Sequence, residues 1–377
     1  MTDVVDYFLQ VTFAKLCKIR SLDDAILEED QRENASTANY LIEQIADISF
    51  SMLLLTKLIG IGISVLNVAL NTMCLIVFFQ WNKGPMVRLL IFLTICEILL
   101  NLAWLLILII YIFLVYTNED FPEMTRHFAY GIYGIVLPML TLFANGTILL
   151  RNWTVVVIAL ARFEAIKYPF KVNKFCAGKS LLALLLLLVA ISFVYGFARI
   201  FEYKIIVCES TYKILMHQLH LFAQQLYERV ILNLIYCISQ GLCPAITMAI
   251  LNLCLIHEIH LASKVSLNCH NRNNAKEGFK NRTIILLCAT FFILETPQCG
   301  SFIMGSLGVI PIPLARSLLS YAALLVMLDS TANCWIYMSS SKRFRRSIME
   351  LVSRSITSSG TQSREGLALK NSASQEK

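Results

Sequence analysis

Five ionisable side chains, Glu97, Arg151, Arg162, Glu295 and Asp329, stand inside stretches otherwise dominated by Leu, Ile, Val, Phe and Ala. An unpaired charge in hydrocarbon costs several kcal/mol, so residues of this kind mark a polar cavity, an ion pathway or a relay. Arg151 and Arg162 are eleven residues apart in "TILLRNWTVVVIALARFEAIKYPF", Thr147 to Phe170. On a helix, eleven steps of about 100° bring both to nearly one face, roughly 16 Å apart along the axis. At least one of them needs a dedicated partner. Other chemistry finds little support. His217 and His220 are three apart, and two ligands are too few for a metal. "HEIH" at 257–260 lacks the H-E-x-x-H spacing that puts both histidines on one helix face. No enzyme site and no cofactor is expected.

The elements that must position these charges are membrane helices. The chain has 377 residues, of which 57% are hydrophobic and 15% charged. Its mean hydropathy is +0.66, far from that of a soluble domain. Apolar stretches long enough to cross a bilayer fall near 58–79, 89–115, 129–160, 181–198, 230–256, 284–307 and 315–338. Helices satisfy their own backbone in lipid, so the expected fold is an all-α membrane protein, a seven-transmembrane helix bundle. The expected divisions are an extracellular N-terminal segment (1–51), the bundle (52–338), a juxtamembrane amphipathic helix (339–354) and a disordered cytoplasmic tail (355–377).

Sixteen Lys and Arg residues lie after spans one, three, five and seven, against six on the opposite side, which makes the former face cytoplasmic and the N-terminus extracellular. Residues 1–50 hold ten acids and four bases, with Asp3 and Asp6 where a signal peptide would be positive. The net charge of +7 belongs to a membrane-facing side and implies lipid rather than nucleic acid as a partner. Of the twelve cysteines, only Cys17 and Cys208 are clearly extracellular, where they could pair. Among the four glycosylation sequons, Asn34 is the usable one, because Asn145 and Asn152 lie in the third span and Asn281 faces the cytoplasm.

Seven spans are shared by receptors, enzymes and transporters, so short motifs have to decide. "ARFEAIKYPF" resembles the D-R-Y-x-A-I-x-x-P-F/L element that ends the third helix of rhodopsin-like G-protein-coupled receptors. "LNTMCLIVF" around Asn71 resembles their first-helix element, and "LTICEILLNL" their second-helix L-A-x-x-D pattern with Glu97 in place of Asp. Pro244 and Pro297 stand where the fifth and sixth helices carry proline, and "STANCWIYMSSSKRFRRSI" resembles N-P-x-x-Y followed by a basic helix. "NWTVVVIALARF" and "FARIFEY" are similar to elements of invertebrate FMRFamide-type neuropeptide receptors. Departures accompany the matches. Ala161 replaces the acid before the arginine, Cys334 replaces the seventh-helix proline, and no cysteine occurs between 97 and 175 for the usual outer disulfide.

The resemblance implies a plasma-membrane receptor for a short neuropeptide or another small extracellular ligand, coupled to a heterotrimeric G protein. Arg162, Phe163, Asn333 and Tyr337 would carry the coupling. Arg151 would occupy a mid-membrane site that commonly borders a sodium ion, paired with Glu97 and with Asp329, which lies one turn above Asn333. Glu295 would be the deepest acid of the ligand pocket, with Glu202 and Arg199 near its mouth. Phe344, Ile348, Leu351 and Val352 form the apolar stripe of an interfacial helix. Ser355, Thr357, Ser358, Ser359, Thr361 and Ser363 are candidate kinase sites whose phosphorylation would recruit arrestin. Two other readings exist: a transporter or channel subunit using the intramembrane charges, or a receptor-like chain that does not signal.

Overall fold

The computed structural model describes residues 35–81, 84–116, 123–167, 178–198, 203–208, 213–218, 234–267, 286, 289–301, 303–304, 307, 309, 312–351 and 353. Eight helices are seen among them. They are α1 (Ala35–Phe79), α2 (Pro85–Tyr116), α3 (Glu123–Lys167) and α4 (Gly178–Ala198), then α5, which passes through a π-helical segment at Ile238–Leu242 into Cys243–Leu267. Next come α6, helical over 289–301, α7 (Ile312–Ser340) and the short α8 over 342–351. Six of these are long and apolar enough to cross a membrane. Between α4 and α5 the chain forms an antiparallel hairpin, β1 (Tyr203–Cys208) and β2 (Lys213–Gln218), with Tyr203 opposite Gln218. This hairpin is an exception to the expected all-helical chain. Runs such as "YKIIVC" and "KILMHQ" are rich in β-branched and long apolar residues and too short to span, so pairing is how they satisfy their backbone.

The packing is inside out relative to a soluble protein. Leu186, Val194, Leu253 and Ile293 are each at least 60% exposed, facing where lipid would be, while Ser64, Asn67, Asn101 and Asn152 are almost wholly enclosed. With apolar side chains equally content in lipid, helices associate through close packing and interhelical hydrogen bonds. α3 is the most enclosed of the spans and packs against α2, α4 and α5, with β2 also against it. α1 closes the bundle against α2 and α7.

Two features brace the bundle. At the α3–α4 crossing, a Cβ on Gly196 would lie 2.8 Å from the Leu142 carbonyl oxygen and 2.9 Å from the Gly146 Cα, so only glycine lets the two backbones approach this closely. At the other end of the bundle, Phe344 of α8 is fully buried against Phe78, Trp81 and Tyr337, with ring centroids 5.3–6.2 Å apart within the group. Ser341 Oγ accepts the Phe344 N–H at 3.2 Å and so caps the start of α8. Arg345 donates to the carbonyls of Met338 and Ser339, both at 2.9 Å, closing the end of α7. Ile348 and Leu351 pack on the same core, and Val352 of the expected stripe lies outside the described residues.

Filling the helix crossing should therefore be costly. Gly196→Leu is expected to lower the melting temperature of the detergent-purified chain by an amount equivalent to about 1–3 kcal/mol. Gly62→Ala, where a Cβ meets nothing within 4 Å, should be near neutral. Equal melting temperatures for the two variants would show that the crossing relaxes freely.

Candidate functional site

Arg151 is the largest fully buried side chain among the described residues. It leaves α3 in mid-span and meets acids from three other helices. Its Nη2 donates to Glu295 Oε1 of α6. Its Nη1 stands 3.7 Å from Asp329 Oδ2 of α7 and 3.9 Å from Glu97 Oε2 of α2, contacts that are ionic but too long for hydrogen bonds. Nε donates to the adjacent Asn152 Oδ1 at 2.9 Å, and the guanidinium carbon lies 5.9 Å from the centre of the buried Phe291 ring. A fully desolvated guanidinium persists only with such a shell, because the attraction to the acids has to offset several kcal/mol of lost hydration.

The acids have partners of their own. Glu97 accepts from Ser330 Oγ and, at 2.9 Å, from Asn333 Nδ2, both on α7. Asn101, one turn along α2, donates to the Glu97 carbonyl at 2.8 Å and to Ser330 Oγ at 2.9 Å. Asn67 of α1 donates to Asn101 Oδ1 at 2.9 Å and to the Met327 carbonyl at 2.7 Å, and it accepts from Thr331 Oγ1. The charged site is thus continuous with a chain of amides and hydroxyls reaching α1. Asp329 is less well served, and its Oδ1 has no hydrogen-bond partner.

A second polar group joins α3 to α5. In the π-helical turn the Cys243 N–H reaches back to the Ile238 carbonyl, and Pro244 brings no N–H at all. The carbonyls of Ser239 and Gln240 are thereby available to α3. They accept from Trp153 Nε1 at 3.2 Å and from Asn152 Nδ2 at 2.7 Å. Gln240 Nε2 in turn donates to the Asn145 carbonyl at 2.9 Å, and Tyr236 OH donates to Asn145 Oδ1 at 3.2 Å. Beside these residues a narrow cleft, with room for about one water, is lined by Asn152, Tyr236, Gln240, Glu295 and Gln298, among others. Gly241 borders it in tight contact with Cys299: a Cβ there would fall 1.9 Å from the Cys299 Sγ.

The structure brings Arg151, Glu97 and Asp329 together, and Asn333 joins them through Glu97. The closest partner of Arg151, however, is Glu295, which the sequence reading assigned to a ligand pocket. Glu295 also lines the cleft. Arg162 lies near the α8 end of α3 and its Nε has no hydrogen-bond partner; the same is true of the buried Tyr337 hydroxyl. Phe163 carries the Lys167 ammonium over its ring at 5.2 Å. Cys208 ends β1, while its side chain, together with Cys17, Asn34, Arg199, Glu202, His220 and the serines and threonines from Ser355 onward, lies outside the described residues. Sequence reasoning missed the polar path through Asn67, Asn101 and Ser330 and the exposed carbonyls at Ser239 and Gln240. Asn67 and Asn101, amides in otherwise apolar runs, were the available signal.

Arg151→Leu would leave three buried carboxyls without their cation and is expected to cost ~3–5 kcal/mol, abolishing surface expression. Glu295→Leu should be milder, because Glu97 and Asp329 remain within ionic reach. Arg151→Leu combined with Glu295→Leu and Asp329→Leu should recover part of the expression of Arg151→Leu, as measured by flow cytometry of a surface-tagged chain. A combined variant no better than Arg151→Leu would show that the charges do not depend on one another.

A helical bundle with a buried polar centre, a cleft and a short capping helix is a receptor-like arrangement, and comparison with known proteins gives it a family. The chain matches the family model described as serpentine type 7TM GPCR chemoreceptor Srw over residues 59–355, from within α1 to the end of α8. No curated protein matches the chain. It is a multi-pass membrane protein of the G-protein-coupled receptor type, and it belongs to the Srw family of serpentine seven-transmembrane chemoreceptors.

Proposed function

We propose that this receptor sits in the plasma membrane with its N-terminus outside and responds to a short neuropeptide by opening its α8 end to a heterotrimeric G protein. The observation that carries the coupling half is Arg162. It stands at the α8 end of the most enclosed helix and, among the described residues, has no ion pair, with Ala161 in the place where an acid would restrain it. Tyr337 offers a second unpartnered polar group at that end. When α6 moves outward, both are available to a partner protein. A ligand drives that movement only by binding the open arrangement better than the closed one. Phosphorylation of the tail from Ser355 to Ser363 would then recruit arrestin, and a glycan at Asn34 fits the same orientation.

The peptide half rests on "NWTVVVIALARF" and "FARIFEY". A second reading has its own support: the family is described as one of chemoreceptors, which favours a small external chemical. Cells expressing the full chain with a promiscuous G protein and a calcium reporter separate the two, challenged in parallel with an amidated-peptide library and a panel of small odorous and water-soluble compounds. A response to peptides alone supports the first reading; a response to small compounds alone replaces it with the second. Silence to both at verified surface expression counts against a signalling receptor.

Restoring the missing acid tests the role of Arg162. An exposed ion pair is worth ~0–1 kcal/mol, but Ala161 is buried and Arg162 half-buried, so Ala161→Asp should lower ligand-free signalling by about fivefold or more. Equal basal activity of the two chains at equal surface density would remove Arg162 restraint from the account.

A further inference from the structure

Ser347 lies at the corner where α8 meets the end of α1, and two kinds of observation converge on it. One is geometric. Its Oγ accepts the Trp81 indole N–H at 3.3 Å. One turn earlier on α8, the Arg343 guanidinium rests 4.8 Å from the centre of the same indole. α8 thus holds Trp81 twice, and the buried Phe344 ring lies beside it, 6.2 Å from the indole and 5.8 Å from Tyr337. The other observation is chemical. Ser347 follows Lys342, Arg343, Arg345 and Arg346, of which Lys342, Arg343 and Arg346 are exposed. Serine kinases of the basic-directed class recognise a substrate by such cations on the N-terminal side of its hydroxyl. The tail has no comparable run: a single base, Arg354, stands between Ser347 and Ser363.

A phosphate at this corner would change the packing. It brings about two negative charges and three acceptor oxygens. Ser347 is half-buried, so the new charge needs a cation, and Arg343, four positions earlier on the same helix face, is placed to supply one. Taking Arg343 removes it from the Trp81 ring. The bulkier group also displaces the serine hydroxyl from the indole N–H. α8 then keeps only Phe344, Ile348 and Leu351 on the core. It spans 342–351, shorter than the roughly 12–15 residues at which a helix holds in water without such support. Half of the charge on its four bases is cancelled as well, which weakens any attachment to anionic lipid.

We infer that Ser347 is a phosphorylation site of a basic-directed serine kinase and that its phosphate unlatches α8 from the end of α1. In the reaction the Ser347 Oγ attacks the γ-phosphorus of a nucleoside triphosphate, the bond to the leaving diphosphate breaks, and the hydroxyl proton passes to the kinase. A kinase grips its substrate in extended form, so Ser347 is presented when α8 unwinds, and the phosphate then opposes its return. Phe344 leaves Tyr337 as α8 departs, so the modification uncovers the end of the bundle that a coupling partner would use. The site is distinct from the tail residues Ser355 to Ser363. Its role in the cell rests on the cytoplasmic placement of α8, where kinase and triphosphate are found.

The test treats the purified full chain in lipid nanodiscs with the catalytic domain of protein kinase C and ATP, and maps phosphate by mass spectrometry. Phosphate should appear on Ser347 and be missing from the same peptide of Ser347→Ala. Trp81→Phe keeps a ring but removes the indole N–H, so it should raise the rate at Ser347 about fivefold, the equivalent of one hydrogen bond, while leaving the rate at any tail site unchanged. Phe344→Ala should raise it further, toward the rate of a free peptide of residues 340–352; where that variant does not fold, Trp81→Phe decides. Amide hydrogen exchange of α8 should become about tenfold faster after phosphorylation, with that of α3 unaltered. Phosphate confined to the tail overturns the inference, as does an equal rate at Ser347 in wild type and Trp81→Phe, or α8 exchange that ignores the phosphate. In cells, antibodies should reach a C-terminal epitope only after permeabilisation. Staining of intact cells would overturn the cellular role together with the proposed orientation, whereas the purified chain reports on Ser347 independently of it.

Discussion

A guanidinium with no access to water governs this bundle. Arg151 cannot be hydrated where it lies, so acids must come to it, and they come from α2, α6 and α7. Each acid then has needs of its own. Glu97 requires Ser330 and Asn333; Asn101 braces the same turn of α2, and Asn67 completes the path to α1. In water, apolar burial would drive such helices together. In lipid that term is nearly absent, and a hydrogen-bonded path of this kind supplies both attraction and rotational register.

The remaining helices are positioned by backbone proximity. α4 can approach α3 because Gly146 and Gly196 face each other, and α5 is joined to α3 through carbonyls that its own irregular turn releases. α3 is consequently held on every side by a different kind of contact: ionic toward α2, α6 and α7, steric toward α4 and amide-to-carbonyl toward α5. An element so constrained is a fixed post. Movement belongs to the elements around it, and α6 is tied to it by Arg151 and Glu295.

Much of this was legible in the residues. Spans are long apolar runs, and hydropathy finds them because no other structure can satisfy the backbone in a bilayer. The receptor class was legible too, since several short motifs fall in order on successive helices. What the sequence did not show is which acid sits closest to Arg151. Glu295 is 144 positions away on a helix whose rotation is set by packing, and no spacing rule crosses from one helix to another. The start of α1 at Ala35 was missed because the run before residue 54 is not apolar, although nothing in "ASTANYLIEQIADISFSMLL" breaks a helix. The π-helical turn was also hidden. Proline marks the neighbourhood, but whether a helix accommodates it by a kink or by an extra residue depends on what the neighbouring helix offers to the freed carbonyls.

That turn also gives α5 two independently phased halves. A π-helical turn holds one residue more than the regular helix, so the face presented by 234–237 is offset from the one that Cys243–Leu267 would project upward by about 100°. Tyr236 and Cys237, on the offset side of the turn, line the cleft. Loss of a single residue here would act as a twist: the lower half of the helix would stay in place while a new set of side chains rotated into the wall of the cleft. One codon at this position is thus a means of exchanging the α5 wall of the cleft while the walls from α3 and α6 stay as they are.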